Sequence, residues 1–350
     1  MRVAGLVSGG SADGIDAVLA DVERGESGRI AVRPLTTRWN PHPAAMRRRI
    51  VEPPSGAEEV ARLHWELGAC LAEMALGVMS GRGRADLVGA QGQTVGSLPG
   101  EGTSLQLGEA AAIVERTGVP VIANFRSADL AAGGRGGPLA AFADWHLLAD
   151  AKETRACLNL GSVATVTLLP AGAGLEEVTG FDVGPGMLLI DLSGGDPGGA
   201  AALLGSVHEG LLDELRGHPF LRQPPPKSWT SADGETGIGL LAMQQYELSR
   251  PDLMATLAAL TADSVEEVLA SQRIDRLLIS GGGVYNRRLV QELGRRFRVL
   301  PTDAFGIGAR AKEALVYAVL AFAGWHRIPA SLPRVTGARH SSVLGQLSLA

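Results

Sequence analysis

A single carboxylate, Asp182, lies in a segment with few other groups able to do chemistry, Gly180-Phe181-Asp182-Val183-Gly184-Pro185-Gly186. Glycines let a ligand approach the backbone closely, so a substrate could come within hydrogen-bond reach of this acid. A carboxylate in that position can take a proton from water as a general base. The alternative is that it orders a turn, which is the commoner role of an acidic residue among glycines.

A second polar group forms the turn between the first two apolar segments of the chain, Ser8-Gly9-Gly10-Ser11-Ala12-Asp13-Gly14-Ile15-Asp16. Exposed backbone N–H groups in such a turn can hold phosphate oxygens, and a carboxylate beside them can hold a water molecule of Mg²⁺. The alternative is a simple β-turn. The predicted nucleotide contacts are Gly9, Gly10, Ser11, Ala12, Asp13, Gly14, Ile15 and Asp16, with Asp13 as the predicted magnesium ligand.

Two further glycine-rich junctions follow strand-like segments in the second half of the chain. Gly161-Ser162 repeats the pattern of the first turn, and Gly281-Gly282-Gly283 lies between a strand and a helix that we expect to begin near Asn286. A nucleotide can bind against the backbone at such a junction. Neither junction has the spacing of a Walker loop or of a convincing dinucleotide fingerprint. Taken together with the first turn, they predict a nucleotide site that includes all five residues.

The elements that must position these residues begin with a predicted antiparallel meander, because glycine-rich turns separate strand-like segments at residues 3–7, 15–22 and 29–35. The sequence Ser55-Gly56-Ala57-Glu58 is typical of a capping box and predicts a long helix that ends near Met79. Glycine density at residues 131–137 predicts a hinge, and Pro138 is a good first residue for a helix. Further predicted elements are strands at 86–90 and 119–123 and a helix at 107–117.

The second half repeats this order, with predicted strands at residues 155–160, 163–169 and 178–182, followed by alternating helices and a strand. The helices are predicted at residues 198–215, 240–248, 252–271 and 309–322, and the strand at 274–280. The sequence thus predicts two similar α/β lobes with a cleft between them. We expect the first lobe to contain residues 1–130, joined by 336–350, and the second to contain residues 131–335.

Composition narrows the class of protein. A chain of 350 residues is too long for one ordinary core, and 45% apolar with 20% charged residues is normal for a globular protein. The net charge of -5 argues against nucleic-acid binding. Cys70 and Cys157 stand far apart, which fits a reducing cytoplasm better than a disulfide framework. We also expect no signal peptide and no membrane span.

The order of these motifs resembles the actin, Hsp70 and sugar-kinase superfold, and more closely the anhydro-N-acetylmuramic acid kinase family. The resemblance covers nearly the whole chain. Besides the turns above, it rests on Gly92-Gln93-Thr94, Phe125-Arg126-Ser127-Ala128-Asp129, Gly133-Gly134-Arg135-Gly136-Gly137-Pro138-Leu139, Asn159-Leu160-Gly161, Pro225-Pro226-Lys227-Ser228, Ala255-Thr256-Leu257, Lys312-Glu313-Ala314 and Val335-Thr336-Gly337-Ala338.

The resemblance implies two ribonuclease H-like lobes and an ATP- and Mg²⁺-dependent kinase. Water opens the internal C1–O6 bridge of an anhydro-sugar while O6 is phosphorylated, and Asp182 would be the base. Arg126 would stabilise negative charge, or else form a structural ion pair. Gln93, Thr94 and Glu313 would contact the sugar; the alternatives are a strand-end cap for Gln93 and Thr94 and a solvated helix face for Glu313. The resemblance does not decide whether the protein forms a homodimer.

Several positions differ from the family's usual residues, and these differences keep two alternatives open. Gly10, Gln91, Asn124, Ser162, Thr165 and Met187 each replace another residue type, and Gly96 and Ser97 replace basic residues. Without those positive charges, a sugar lacking the lactyl carboxylate, such as levoglucosan, becomes an alternative substrate. A non-catalytic nucleotide-binding homologue is the second alternative, which the retention of Asp182 opposes.

Overall fold

The computed structural model describes residues 1–225, 227–229 and 246–349. The chain divides into two compact units, one formed by Met1–Leu147 with Arg310–Ala350 and the other by Leu148–Ala309. These boundaries differ from the divisions at 130/131 and 335/336 expected from the sequence. Of the helix expected at 240–248, residues 240–245 lie outside the described residues, and residues 246–248 are not helical.

The strands are numbered in chain order. They are β1 (Arg2–Ser8), β2 (Gly14–Arg24), β3 (Ile30–Pro41), β4 (Leu87–Gln91), β5 (Gln93–Leu98), β6 (Thr103–Leu107), β7 (Val121–Ala123), β8 (Arg155–Leu160), β9 (Val163–Leu169), β10 (Thr179–Pro185), β11 (Arg276–Ser280), β12 (Val299–Pro301) and β13 (Gln346–Ser348).

The α-helices of the described residues follow the same convention. They are α1 (Ala44–Val51), α2 (Ala57–Met79), α3 (Ala110–Thr117), α4 (Ser127–Ala131), α5 (Ala140–Leu148), α6 (Leu188–Leu192), α7 (Glu209–Arg216), α8 (Arg250–Leu269), α9 (Arg287–Gly294), α10 (Lys312–Trp325) and α11 (Pro333–Thr336).

Five strands follow the same order in the sheets of both units. In the first unit the order is β3-β2-β1-β4-β7, with β13 added as a sixth strand antiparallel to β7, and in the second it is β10-β9-β8-β11-β12. In each, an antiparallel meander of three strands is extended by two parallel strands on the side of the first meander strand. This shared order is the ribonuclease H-like arrangement, so the predicted fold class of two α/β lobes is confirmed.

Glycines on two central strands let α10 pack directly on the sheet of the first unit. A Cβ atom at Gly5 of β1 would clash with the backbone of α10 at Ala314, and one at Gly89 of β4 would clash with the carbonyl oxygen of Tyr317. Only glycine removes this conflict, because any other residue would force the helix away from the strands. Most of α10 is buried as a result, including the first residue, Lys312.

In the second unit, α8 forms much of the core against its sheet. The helix begins at a cap in which the Ser249 side chain accepts a hydrogen bond from the N–H of Asp252. Pro251 follows in the first turn, where its missing N–H costs nothing. Apolar residues of α8 pack with those of β8 and β9 in one buried cluster. This packing holds the strands whose ends carry the glycine-rich turns.

Several predicted boundaries were wrong, and glycine conformation explains two of them. The helix expected at 107–117 begins only at Ala110, because Leu107 ends β6 and Gly108 adopts φ 133°. The helix expected at 198–215 is reduced to α7, because Gly198 and Gly199 both adopt φ 69°. The expected capping box at the start of α2 also fails, since Gly56 caps the helix without a side-chain hydrogen bond.

The glycine-rich stretch at residues 131–137 lies within the first unit and not at its boundary. The Asp129 carboxylate accepts a hydrogen bond from the N–H of Gly136 (2.8 Å), and Arg135 donates its N–H to the carbonyl of Thr336 (2.9 Å). Pro138 does not begin a helix, since α5 starts at Ala140. In the described part of the chain, no helix is both long and apolar enough to cross a membrane.

Candidate active site

The turn that joins β1 to β2 in the first unit has a strained and largely open backbone. Ala12 adopts φ 51°, a left-handed conformation that costs energy for a residue with a side chain. Its N–H donates to the carbonyl of Gly9 (3.1 Å), and Gly10 is exposed at the tip. Strain of this kind persists where the surrounding structure imposes it, and it is frequent at ligand-binding loops. The turn can therefore offer backbone N–H groups to an anion.

Two carboxylates of this turn share one guanidinium. Arg310, which precedes α10, donates Nε to Asp16 Oδ1 (3.0 Å) and Nη2 to Asp13 Oδ2 (3.3 Å). The same guanidinium lies over the Trp39 ring, with its carbon 4.1 Å from the ring centroid. Arg310 is therefore fixed by an aromatic face and by two acids that stand almost 300 residues away in sequence.

Asp16 carries an unfavourable charge in spite of this pairing. Burial raises the pKa of Asp16 from 3.8 to about 6, because desolvation of the carboxylate outweighs the attraction of Arg310. Repulsion from the Asp13 carboxylate raises the pKa further. Asp16 thus has a pKa unusual for its type beside an open turn. Such perturbed carboxyls are typical of functional sites, although structural ion pairs also produce them.

Glu313 lies close to the same turn, and Arg126 lies near enough to Glu313 to act on its charge. A Cβ atom at Gly9 would lie 3.9 Å from Glu313 Oε2. Burial raises the pKa of Glu313, Asp16 raises it further, and Lys312 and Arg126 oppose the increase. Arg126 Nε is buried and has no hydrogen-bond partner among the described residues. A buried donor without a partner is costly in free energy, and a ligand oxygen is one group that can accept its hydrogen bond.

Behind the turn, three buried polar side chains form a chain of hydrogen bonds. Ser8 Oγ donates its hydroxyl proton to Gln93 Oε1 (2.7 Å), and Ser8 Oγ also lies 2.8 Å from His42 Nε2. Since Ser8 gives its own proton to Gln93, His42 is the donor in the second bond. Burial lowers the pKa of His42, which agrees with a neutral ring. Gln93 thus supports the turn, and Thr94, the next residue, is partly exposed.

In the second unit, the glycine-rich turns pack against one another at the end of the sheet. Gly186 donates its N–H to the carbonyl of Ser162 (2.8 Å), and Met187 donates to that of Gly161 (2.8 Å). Gly281 adopts φ 86°, and a Cβ atom on Gly281 or on Gly283 would clash with Leu160. Gly282 alone among these three glycines has open space around it. Gly281 and Gly283 are therefore needed for close packing, and Gly282 is the accessible one.

The Asp182 carboxylate is held by at least three donors. Thr165 Oγ1 donates to Oδ1 (3.0 Å), while Ser228 Oγ (3.1 Å) and the N–H of Trp229 (2.8 Å) donate to Oδ2. Asp182 in turn donates its own N–H to the carbonyl of Lys227 (3.0 Å). Its side chain is partly exposed, so this fixed carboxylate can reach a ligand.

Residues 227–229, which we call the clamp segment, are themselves anchored. Lys227 Nζ donates to the carbonyls of Phe220 and Leu221 (3.2 Å each) and lies 4.8 Å from the centre of the Phe220 ring. Trp229 packs edge-on against the same ring at 4.8 Å. Burial lowers the pKa of Lys227. The anchoring explains how an irregular segment can hold Asp182 in one orientation.

Sequence reasoning found part of this arrangement. It named Asp13 and Asp16 of the first turn, Glu313 beside that turn, and Arg126, whose charge acts on Glu313. Of the predicted nucleotide contacts, Ile15 and Ala12 have buried side chains, so they can contribute only through their backbone. Sequence reasoning missed Arg310 and His42, because no local motif marks residues that reach the turn from distant elements.

The repeated ribonuclease H-like sheet and the glycine-rich turn after the first strand of each unit define an α/β protein of the actin and sugar-kinase class. Comparison with known proteins narrows this class. Residues 1–350 match the family described as anhydro-N-acetylmuramic acid kinase, and the chain belongs to that family. It is therefore a kinase, and a sugar is its small-molecule substrate.

Curated relatives carry the same family name. The protein from Salinibacter ruber is 39% identical over 99% of this chain and 96% of its own length. The proteins from Gloeobacter violaceus, 38% identical, and Streptomyces coelicolor, 36% identical, cover 98% and 99% of this chain and 97% and 94% of their own lengths. A solved structure of a ROK family glucokinase from Streptomyces griseus covers 92% of this chain and is itself covered to 99%, at 14% identity and a TM-score of 0.43.

Proposed function

We propose that this protein uses ATP to convert anhydro-N-acetylmuramic acid to N-acetylmuramate 6-phosphate, in the recycling of cell-wall sugars. The observation that carries the proposal is the Asp182 carboxylate, which three donors hold in one direction next to a glycine-rich loop. The choice of substrate in this proposal is based on membership of the family and on the names of its curated relatives.

Asp182 would act as general base in a single concerted step. It takes a proton from water as the water oxygen bonds to C1 of the sugar. The C1–O6 bond breaks, its electron pair goes to O6, and O6 bonds to the γ-phosphorus as the bond to the ADP oxygen breaks. One base is enough, because phosphoryl transfer takes up the leaving O6. A general base contributes roughly 10²–10⁴ in rate.

The turn of residues 9–16 would hold the phosphates of the nucleotide through its backbone N–H groups. Asp13 is exposed, but Ser11 Oγ donates to its Oδ1 (2.6 Å) and Arg310 to its Oδ2 (3.3 Å), so we propose that Mg²⁺ would displace one of these donors. One such carboxylate is enough, since Mg²⁺ is usually bound by one or two carboxylates together with phosphate and water. The described residues contain no group of three or more acidic, histidine or cysteine ligands, so a complete protein cage is not the arrangement that we propose. When bound, Mg²⁺ would neutralise charge on the phosphates.

Each unit, taken by itself, offers further candidate contacts. The buried Nε of Arg126 would find its partner in a substrate or phosphate oxygen, and Glu313 and Thr94 would bind sugar hydroxyls. Gln93 would act by keeping Ser8 in place, as the hydrogen bond between them indicates. In the second unit, Gly161, Ser162 and Gly281 to Gly283 would form the remaining nucleotide contacts, with Gly282 the most open of the three glycines.

We also place the protein in a reducing compartment, the cytoplasm. Cys70 and Cys157 are both free thiols, and Cys157 is buried.

The oligomeric state is a separate question. Static light scattering on the purified protein measures whether it forms the homodimer that the sequence left open.

The experiment that tests the function combines a substrate panel with one substitution. ADP release with ATP and Mg²⁺ is measured with anhydro-N-acetylmuramic acid, with levoglucosan and without sugar. Asp182→Asn keeps the size of the side chain and removes its basic charge. We expect turnover with anhydro-N-acetylmuramic acid, and a fall in kcat of at least about a hundredfold for the variant.

The outcomes separate the alternatives. Turnover with levoglucosan alone would identify levoglucosan as the substrate in place of anhydro-N-acetylmuramic acid. The protein would still be an anhydro-sugar kinase. Nucleotide binding by calorimetry without turnover on either sugar would identify a non-catalytic homologue. If Asp182→Asn binds both ligands and turns over at the wild-type rate, Asp182 is not the base.

A further inference from the structure

Asp182 and Thr165 are direct neighbours across a pair of strands. They occupy opposite positions in the antiparallel pairing of β10 with β9, and the register shifts between Asp182 and Gly184. Opposite residues in such a pair have Cβ atoms about 5 Å apart, close enough for their side chains to meet. A bulge at this point changes the direction of the bulged strand and re-aims its side chains. The register therefore explains why the Thr165 hydroxyl reaches Asp182 Oδ1.

The clamp segment approaches Asp182 from another direction. It contacts both the backbone and the side chain of this residue, since the Lys227 carbonyl accepts the Asp182 N–H while Ser228 and Trp229 donate to Oδ2. The two carboxylate oxygens thus have different protein donors. Rotation of the carboxylate would break at least one of these bonds, so the group is confined to one orientation.

We propose that Thr165 and Ser228 are positioning residues, which act on the reaction only through the orientation of Asp182. This inference rests on the proposed role of Asp182 as base. Thr165 suits the task because a β-branched side chain on a strand has restricted χ1 freedom, so its hydroxyl is held in place before substrate binds. Ser228 has no such restriction and depends on the anchoring of its neighbour, Lys227.

The proposal predicts a specific pattern for kcat and KM. Thr165→Val replaces the hydroxyl by a methyl group of similar size, and Ser228→Ala removes the second hydroxyl. A hydrogen bond to a charged group is strong enough that each loss should lower kcat by about tenfold or more. The KM for the sugar should change by less than about threefold, because neither hydroxyl is proposed to touch the substrate.

Three controls distinguish positioning from a general structural effect. Thr165→Ser retains the hydroxyl and should recover most of the lost kcat. Ser264→Ala removes a buried hydroxyl of the same unit that donates to the Leu260 carbonyl within α8, and it should leave kcat unchanged. Thermal denaturation of each variant and calorimetric titration with the sugar alone verify that fold and binding persist.

A double-substitution cycle gives the most direct test. If Thr165 acts through Asp182, adding Thr165→Val to Asp182→Asn should cause no further fall in kcat. A further tenfold fall in the double variant would overturn the proposal, because Thr165 would then act independently of the carboxylate. Wild-type kcat in both Thr165→Val and Ser228→Ala, with Asp182→Asn strongly impaired, would overturn it as well while leaving Asp182 as base. Full activity of Asp182→Asn would instead refute the proposed function.

Discussion

Replacing Asp16 by asparagine should make the free protein more stable at neutral pH and remove part of its pH dependence. Burial raises the pKa of this carboxyl from 3.8 to about 6, although Arg310 stands beside it. The folded protein therefore binds a proton at Asp16 more tightly than the unfolded chain does. The favourable contribution is complete below pH 4 and is lost as the pH rises through 6. Above pH 6 the charged Asp16 costs stability.

The magnitude follows from the size of the shift. A difference of about two pKa units between the folded and unfolded states corresponds to about 3 kcal/mol, at 1.36 kcal/mol for each unit. Asparagine carries no charge and can still accept the hydrogen bond from Arg310 Nε. We therefore expect Asp16→Asn to stabilise the protein by about 1–3 kcal/mol at pH 8 and by almost nothing at pH 4.

The assay is urea denaturation without nucleotide or metal, at pH values from 4 to 8. Tryptophan fluorescence reports mainly the first unit, which contains four of the five tryptophans, including Trp39 against Arg310; Trp229 lies in the second unit. Glu23→Gln, on the exposed end of the same strand, provides the control and should change the free energy of unfolding by no more than about 0.5 kcal/mol. A difference between Asp16→Asn and wild type that does not vary between pH 4 and pH 8 would refute the reasoning.

Three further predictions test the packing within each unit. Gly5→Ala should destabilise the first unit by at least about 2 kcal/mol in urea denaturation, because the new methyl group meets the backbone of α10; an unchanged midpoint would contradict this packing. Lys312→Met should cost about 3–5 kcal/mol, because it removes the cation that lies 2.6 Å from the buried Asp144 carboxylate. Adding Asp144→Asn should recover part of that loss, and no recovery would argue against the pair. Gly186→Ala should impair turnover more than stability, since its methyl group would displace the Gly161 turn; normal kinetics would show that the contact between the turns is dispensable.

Local pattern was enough to predict the strands of both meanders and most of the long helices. Short apolar segments between glycine-rich turns identified β1, β2, β8 and β9, because that information lies within a few neighbouring residues. Boundaries failed where glycine conformation overrode a helical pattern, as at Gly108 and Gly198. Glycines restrict the backbone so little that their φ angle depends on contacts that the sequence does not display.

The sequence by itself determined the class of fold, the family, and the acidic residues of the candidate sites in each unit. Asp182, Asp13 and Asp16 stand in motifs whose residue types already indicate their chemistry. Only the tertiary structure decided which groups hold them. Arg310 meets Asp16 across 294 positions in sequence, and Ser228 meets Asp182 across 46. Such partners are brought together by strand register and by helix packing on the sheet, and no spacing along the chain encodes those long-range arrangements directly.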